Sequence, residues 1–172
     1  KPATNGRAVV RCAIYTRQSV FDDEEGEFGS LAAQRDAGSH YIAARKADGW
    51  QELPEVYEDA GFSGGTMARP ALQRLLADIE AGMVDAVVVY KLDRLSRSLR
   101  DFGTIKELLD AHDCGLASVT QSIDSKTATG QLMLNVLMSF AEHERKTTAE
   151  RVRDKVRASR KRGLWTGGPL SL

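Results

Sequence analysis

Hydrophobic runs and polar, glycine-rich breaks alternate along the chain, and the alternation predicts an ordered series of strands and helices. Ala8 to Tyr15 is mostly apolar and reads as a buried first strand. Ser30 to Asp48 reads as a helix with Leu31, Tyr41, Ile42 and Ala44 available to an inner face, ended by Gly49. A short strand is expected over Leu53 to Tyr57, before the loop Gly61-Phe62-Ser63-Gly64-Gly65. Pro70 suits the first turn of a helix running to about Ala81, with Gly82 beyond its end. Val84 to Tyr90 is the clearest strand, a helix follows over Leu99 to His112, and Gly115 to Thr120 completes a fourth strand. Strands separated by helices at this spacing predict an α/β fold with a mainly parallel sheet of four to five strands, flanked by helices.

The last stretch has a different character. Thr127 to Arg162 contains no proline, and a single glycine, Gly130, lies near its start. A helix of about 35 residues spans roughly 50 Å, against a diameter of about 40 Å for a compact chain of this size. A long C-terminal helix that projects from the body is therefore expected. Leu132, Met133, Leu134, Val136, Leu137, Met138 and Phe140 make its first half apolar almost all round. One face can cover the sheet and the rest calls for a second partner, most simply another copy of the chain. The candidate interface is Leu132, Met133, Val136, Leu137 and Phe140. The second half is basic, with Arg151, Arg153, Lys155, Arg157, Arg160, Lys161 and Arg162, which suits tracking a phosphate backbone or a solvated coiled-coil face. The expected division is a core over residues 1–126, the helix over 127–163, and the start of a linker over 164–172.

Composition alters this picture little. A chain of 172 residues with 42% hydrophobic content can bury the core of one domain. The formal net charge is zero, so the overall balance does not announce a nucleic-acid partner. The distribution is more telling: acids cluster over Asp22 to Glu27, whereas bases dominate Arg145 to Arg162. Cys12 and Cys114 lie in apolar runs and read as small buried hydrophobes, not as a disulfide or metal pair. With no signal-peptide or transmembrane pattern, a cytoplasmic protein with no membrane partner is expected. The missing initiator Met and the abrupt end at Leu172 suggest part of a longer protein.

In open α/β sheets ligands gather beyond the carboxyl ends of the strands. The segments expected there include Thr16 to Ser19, Asp59 to Arg69 and Lys91 to Arg97, so topology alone brings Arg17, Ser19, Arg69, Asp93, Arg94 and Arg97 to one edge. A serine nucleophile needs activation, usually from histidine. His40, His112 and His143 lie outside these loops, and no G-x-S-x-G elbow is present. The arginines suit another chemistry. Attack on a phosphodiester adds negative charge, which permanently ionised, bidentate guanidiniums stabilise. The glycine-rich loop lacks the Lys-Ser/Thr ending of a P-loop, and no metal-ligating set is visible.

Five motifs, in order, carry a family resemblance: Tyr15-x-Arg17-x-Ser19, Ser30-Leu31-x-x-Gln34, Gly61-Phe62-Ser63-Gly64 leading to Arg69-Pro70, Asp93-Arg94-Leu95-x-Arg97, and Phe140-Ala141-x-x-Glu144-Arg145. Together they resemble the catalytic domain of the serine recombinases (resolvases and invertases). The segment Gly163-Leu164-Trp165-Thr166-Gly167-Gly168 is similar to the start of the next domain in the large serine recombinase branch.

The resemblance implies that Ser19 attacks DNA to give a 5′-phosphoserine link and a free 3′-hydroxyl. It implies that Arg17, Arg69, Arg94 and Arg97 grip the scissile phosphate, that Asp93 positions arginines or handles the leaving-group proton, and that Gln34 is a supporting polar contact. No cofactor, metal or ATP is implied. The implied partners are double-stranded DNA and further copies of the chain, as dimer and synaptic tetramer, in a bacterial or phage setting. Two other readings stand beside it: a non-catalytic phosphate- or DNA-binding module that dimerises through the long helix, and a hydrolase of small phosphoesters.

Overall fold

A computed structural model describes residues 9–19, 30–121 and 123–140, together with residues 143, 147 and 153. The fold is built on β1 (Val10–Gln18), whose residues Cys12 to Arg17 are buried without a break. Such a strand must be covered on both faces. To one side β1 pairs with β4 (Ala86–Val89), Cys12 opposite Ala86 and Tyr15 opposite Val89. Further out, β4 pairs with β5 (Gly115–Ser118), and all these pairings are parallel. A two-residue strand, β6 (Ile123–Asp124), closes this edge antiparallel to β5.

On its other side β1 carries two partners in succession. β2 (Trp50–Glu52) pairs with Val10 to Cys12, and β3 (Tyr57–Ala60) with Tyr15 to Gln18. The single strand expected over Leu53 to Tyr57 is thus replaced by the step between two shorter ones. Leu53 N–H still bonds Cys12 O at 2.9 Å. Pro54 then has no N–H to give, and the ladder stops until Tyr57. Among the described residues the sheet accordingly has six strands, in the order β2-β1-β4-β5-β6 with β3 also on β1, against the four to five expected.

Helix α1 (Leu31–Ala43) starts where Ser30 accepts a hydrogen bond from Ala33 N at 3.2 Å. It stops short of the expected Asp48. A separate 3-10 turn occupies Lys46–Asp48, and Gly49 follows it with a left-handed φ of 90°. Helix α2 spans Pro70–Glu80, the short α3 spans Leu92–Leu95, and α4 spans Leu99–Ala111. Residues 128–140 form the described part of the last helix, α5.

The pleat divides β1 and β4 between two cores. Cys12, Ile14, Ala86 and Val88 face Ile42 of α1, whereas Ala13, Tyr15, Val87 and Val89 join the larger core under α2, α4 and Leu134 of α5. Both cysteines are buried free thiols, and burial pushes each up from 9.0 to about 12. Helix α5 begins in close contact with β6: a Cβ on Gly130 would stand 2.0 Å from Asp124 O.

The structure assigns unequal roles to the apolar positions of α5. Leu134 is buried, and Leu137 and Met138 are partly buried against the chain's own core. Leu137, expected at an interface between copies, therefore packs at least in part inward. Leu132, Met133, Val136 and Phe140 stay exposed, at 64, 53, 46 and 61%. Of the basic candidates, Arg153 is described as helical and exposed. Arg151, Lys155, Arg157, Arg160, Lys161 and Arg162 lie outside the described residues, as do the acidic cluster over 22–27 and the segment 164–172. No helix among the described residues is long and apolar enough to cross a membrane.

Candidate active site

Ser19 is the first residue past β1 and is buried. Two residues earlier, still inside the strand, is Arg17. Helix α1 holds this strand end through Gln34, also buried: Arg17 N–H donates to Gln34 Oε1 at 3.3 Å, and Gln34 Nε2 donates to Arg17 O at 3.1 Å. One side-chain amide thereby replaces a missing strand neighbour. Gln34 acts on the backbone that leads to Ser19, a more specific role than a general polar contact.

The glycine-rich loop closes over this end. Arg17 Nη1 donates to Phe62 O at 2.9 Å, and Arg97 N–H donates to Gly64 O at 3.0 Å. Gly64 is required by crowding: a Cβ there would lie 2.9 Å from Arg97 Cγ, 3.2 Å from Asp93 O and 3.3 Å from Arg17 Nε. The loop, β1 and the segment 91–97 can meet because this residue has no side chain.

Arg69 ties the same three parts together. Its Nε donates to Thr66 O at 2.8 Å, its Nη1 to Tyr15 OH at 2.7 Å and to Arg94 O at 3.2 Å, and its Nη2 to Leu95 O. Four hydrogen bonds to protein oxygens make Arg69 a strut under the site.

Sequence reasoning missed the residue that completes this strut. Asp59, buried at the end of β3, accepts from Tyr15 OH at 2.8 Å and from Ala71 N and Leu72 N at 2.9 and 3.0 Å. Arg69, the N-cap of α2, makes no side-chain cap bond, so Asp59 caps that helix from across the sheet. The available signal was an acid at a strand end just before the glycine loop. Burial raises the Tyr15 phenol above its ordinary 10.0, so Tyr15 remains protonated and relays Arg69 to Asp59.

Arg94 belongs to α3 and is buried, and Arg97 follows it on an exposed turn. Asp93 is half-buried, and its Oδ1 is buried with no hydrogen-bond partner among the described residues. Arg17, Arg69 and Arg94 are each 0% exposed, and the buried Asp59 is linked to Arg69 through Tyr15 OH. Buried guanidiniums gathered at one strand edge suit the binding of an anion. All seven residues expected at the catalytic site thus arise from the strand-end segments and the helix packed on them. Among the described residues, no three His, Cys, Asp or Glu side chains gather as metal ligands.

Comparison with known proteins identifies the family of the chain. Residues 12–165 match the family model of the resolvase N-terminal domain. The chain belongs to the serine recombinase family. The crystal structure of the N-terminal catalytic domain of TP901-1 integrase is similar over 80% of this chain and 98% of that one, with 41% identity and a TM-score of 0.67. An integrase-like protein of Sinorhizobium fredii is 32% identical over 87% of the chain and 73% of its own length. The transposon Tn917 resolvase of Enterococcus faecalis is 30% identical over 90% of the chain and 74% of its own length. The chain is thus a serine recombinase catalytic domain, and its activity is site-specific DNA recombination.

Proposed function

We propose that Ser19 is the nucleophile of this recombinase and that Arg17, Arg94 and Arg97 hold the scissile phosphate, with Arg69 supporting them from beneath. The serine oxygen attacks phosphorus, its proton leaves to a nearby acceptor, and the bond to the 3′ oxygen breaks. That oxygen takes up a proton and becomes a free hydroxyl, while the 5′ phosphate stays on Ser19. The phosphoester is conserved in the adduct, so the reverse attack by a 3′-hydroxyl rejoins DNA without ATP. The observation that supports this most is the buried trio of guanidiniums beside a buried serine at one strand edge, a preorganised field for a transition state richer in negative charge. Asp93, with a buried oxygen open to a proton or an arginine, fits positioning or leaving-group protonation.

The substrate in this reading is double-stranded DNA, and nucleoid association in the cytoplasm follows from it. Exposed Leu132, Met133, Val136 and Phe140 support assembly with further copies, as dimer and synaptic tetramer. In this reading the core over 1–126 does the chemistry, and the segment 127–163 joins copies and tracks DNA. The test is Ser19→Ala: the variant is expected to melt like the wild type and to form no covalent adduct with DNA on a denaturing gel. An adduct at wild-type yield would remove Ser19 from the role.

A further inference from the structure

The short helix that carries Asp93 and Arg94 has no local means of starting. Helix α3 is four residues long, and its N-cap, Lys91, makes no side-chain cap bond; lysine has no acceptor to offer. The first N–H groups of a helix need acceptors from elsewhere. Leu92 N–H finds one far along the chain: it donates to Gln121 Oε1 at 2.8 Å. The same oxygen accepts from the buried Ser118 hydroxyl at 3.1 Å.

Around this contact, the corner after β5 grips the end of β4. Tyr90 O accepts from Thr120 N at 3.1 Å and from Thr120 Oγ1 at 2.9 Å. Val119 N–H extends the ladder to Val89 O at 2.9 Å. Residues 118–121 therefore fix where the chain leaves β4 and how α3 is turned. Asp93 and Arg94 sit on α3, and Arg97 stands two residues past its end.

We infer that Gln121 is a positioning residue for the recombinase reaction: its side-chain oxygen, aimed by Ser118, caps α3 and sets the angle at which Asp93, Arg94 and Arg97 meet the phosphate. The inference rests on the proposed cleavage by Ser19. Gln121 touches neither DNA nor Ser19 in this account. Its contribution is to orient α3, where a shift of about 1 Å is enough to cost on the order of a hundredfold in rate.

Two substitutions separate positioning from bulk stability. Gln121→Met keeps length and removes the acceptor, whereas Gln121→Glu keeps an oxygen in place. Single-turnover formation of the protein–DNA adduct is expected to slow about 10- to 100-fold in Gln121→Met and to stay near the wild-type rate in Gln121→Glu. DNA affinity and melting temperature should hardly move in either. Amide hydrogen exchange over residues 91–97 gives a readout independent of cleavage: Leu92 should exchange faster in the Met variant and remain protected in the Glu variant. Wild-type cleavage and exchange in Gln121→Met would overturn the inference, as would parallel losses of rate and melting temperature in both variants. Absence of any adduct in the wild type would instead count against cleavage by Ser19, and exchange at Leu92 would still decide whether Gln121 holds α3.

Discussion

Arg17, Arg69 and Arg94 share complete burial but not one task. Arg69 spends its donors on Thr66 O, Tyr15 OH, Arg94 O and Leu95 O, whereas Arg17 follows the backbone that Gln34 clamps. Asp59 carries the weight of the arrangement, since one carboxylate accepts from Tyr15 and from two N–H groups of α2. In Asp59→Asn the amide NH2 must face a donor, so a buried N–H loses its acceptor. The expected cost is about 2 kcal/mol, or a fall of about 5 °C in melting temperature for a chain of this size, read by thermal denaturation. An unchanged melting temperature would show that Asp59 is not the strut described here. Ser19, Gln34 and the arginines could be singled out in the sequence because each sits in a recognisable motif, in a segment leaving a strand or, for Gln34, on the helix α1 packed on that strand. Asp59 and Gln121 could not, because each acts through a bond to backbone distant in sequence, across 12 residues for Ala71 and 29 for Leu92.

Among the elements, hydrophobic runs marked β1, β4 and β5 because continuous burial needs continuous apolar sequence. β2 and β3 were less readable, since Trp50–Glu52 and Tyr57–Ala60 are short, partly polar and split by Pro54. β6 has two residues and no periodicity to detect. The junction of β6 and α5 is nonetheless tightly specified. A Cβ on Gly130 would overlap Asp124 O, 2.0 Å away, so Gly130→Ala must push the start of α5 off the sheet and loosen Leu134 from the core. A destabilisation of about 1–3 kcal/mol is expected, together with earlier proteolytic cutting within 123–140. Native-like protease resistance would contradict that packing.

At the scale of the whole molecule, a net charge of zero conceals a division of labour. Buried arginines gather at one sheet edge, and large apolar side chains are exposed on α5. Exposed Leu132, Met133, Val136 and Phe140 exceed what scattered surface hydrophobes explain, because they lie together within the described part of α5. Replacing Val136 and Phe140 together with Lys is expected to abolish concentration-dependent self-association in sedimentation while leaving the melting temperature nearly unchanged. A wild-type chain that stays monomeric at every concentration would contradict the interface. Neither the split of Leu137 toward the core nor the exposure of its neighbours follows from a helix that is apolar all round. Which side faces the sheet depends on where Gly130 lets α5 dock.

In the proposed reaction Ser19 becomes covalently joined to DNA. Its most direct measurement is to trap the protein on a nicked recombination-site duplex that cannot be religated, digest the adduct, and map the attached nucleotide by mass spectrometry. One modified peptide is expected, with a 5′-phosphoryl group on the Ser19 hydroxyl and a free 3′-hydroxyl on the other DNA end. Attachment to any other residue, or cleavage that leaves no protein on the 5′ end, would contradict it.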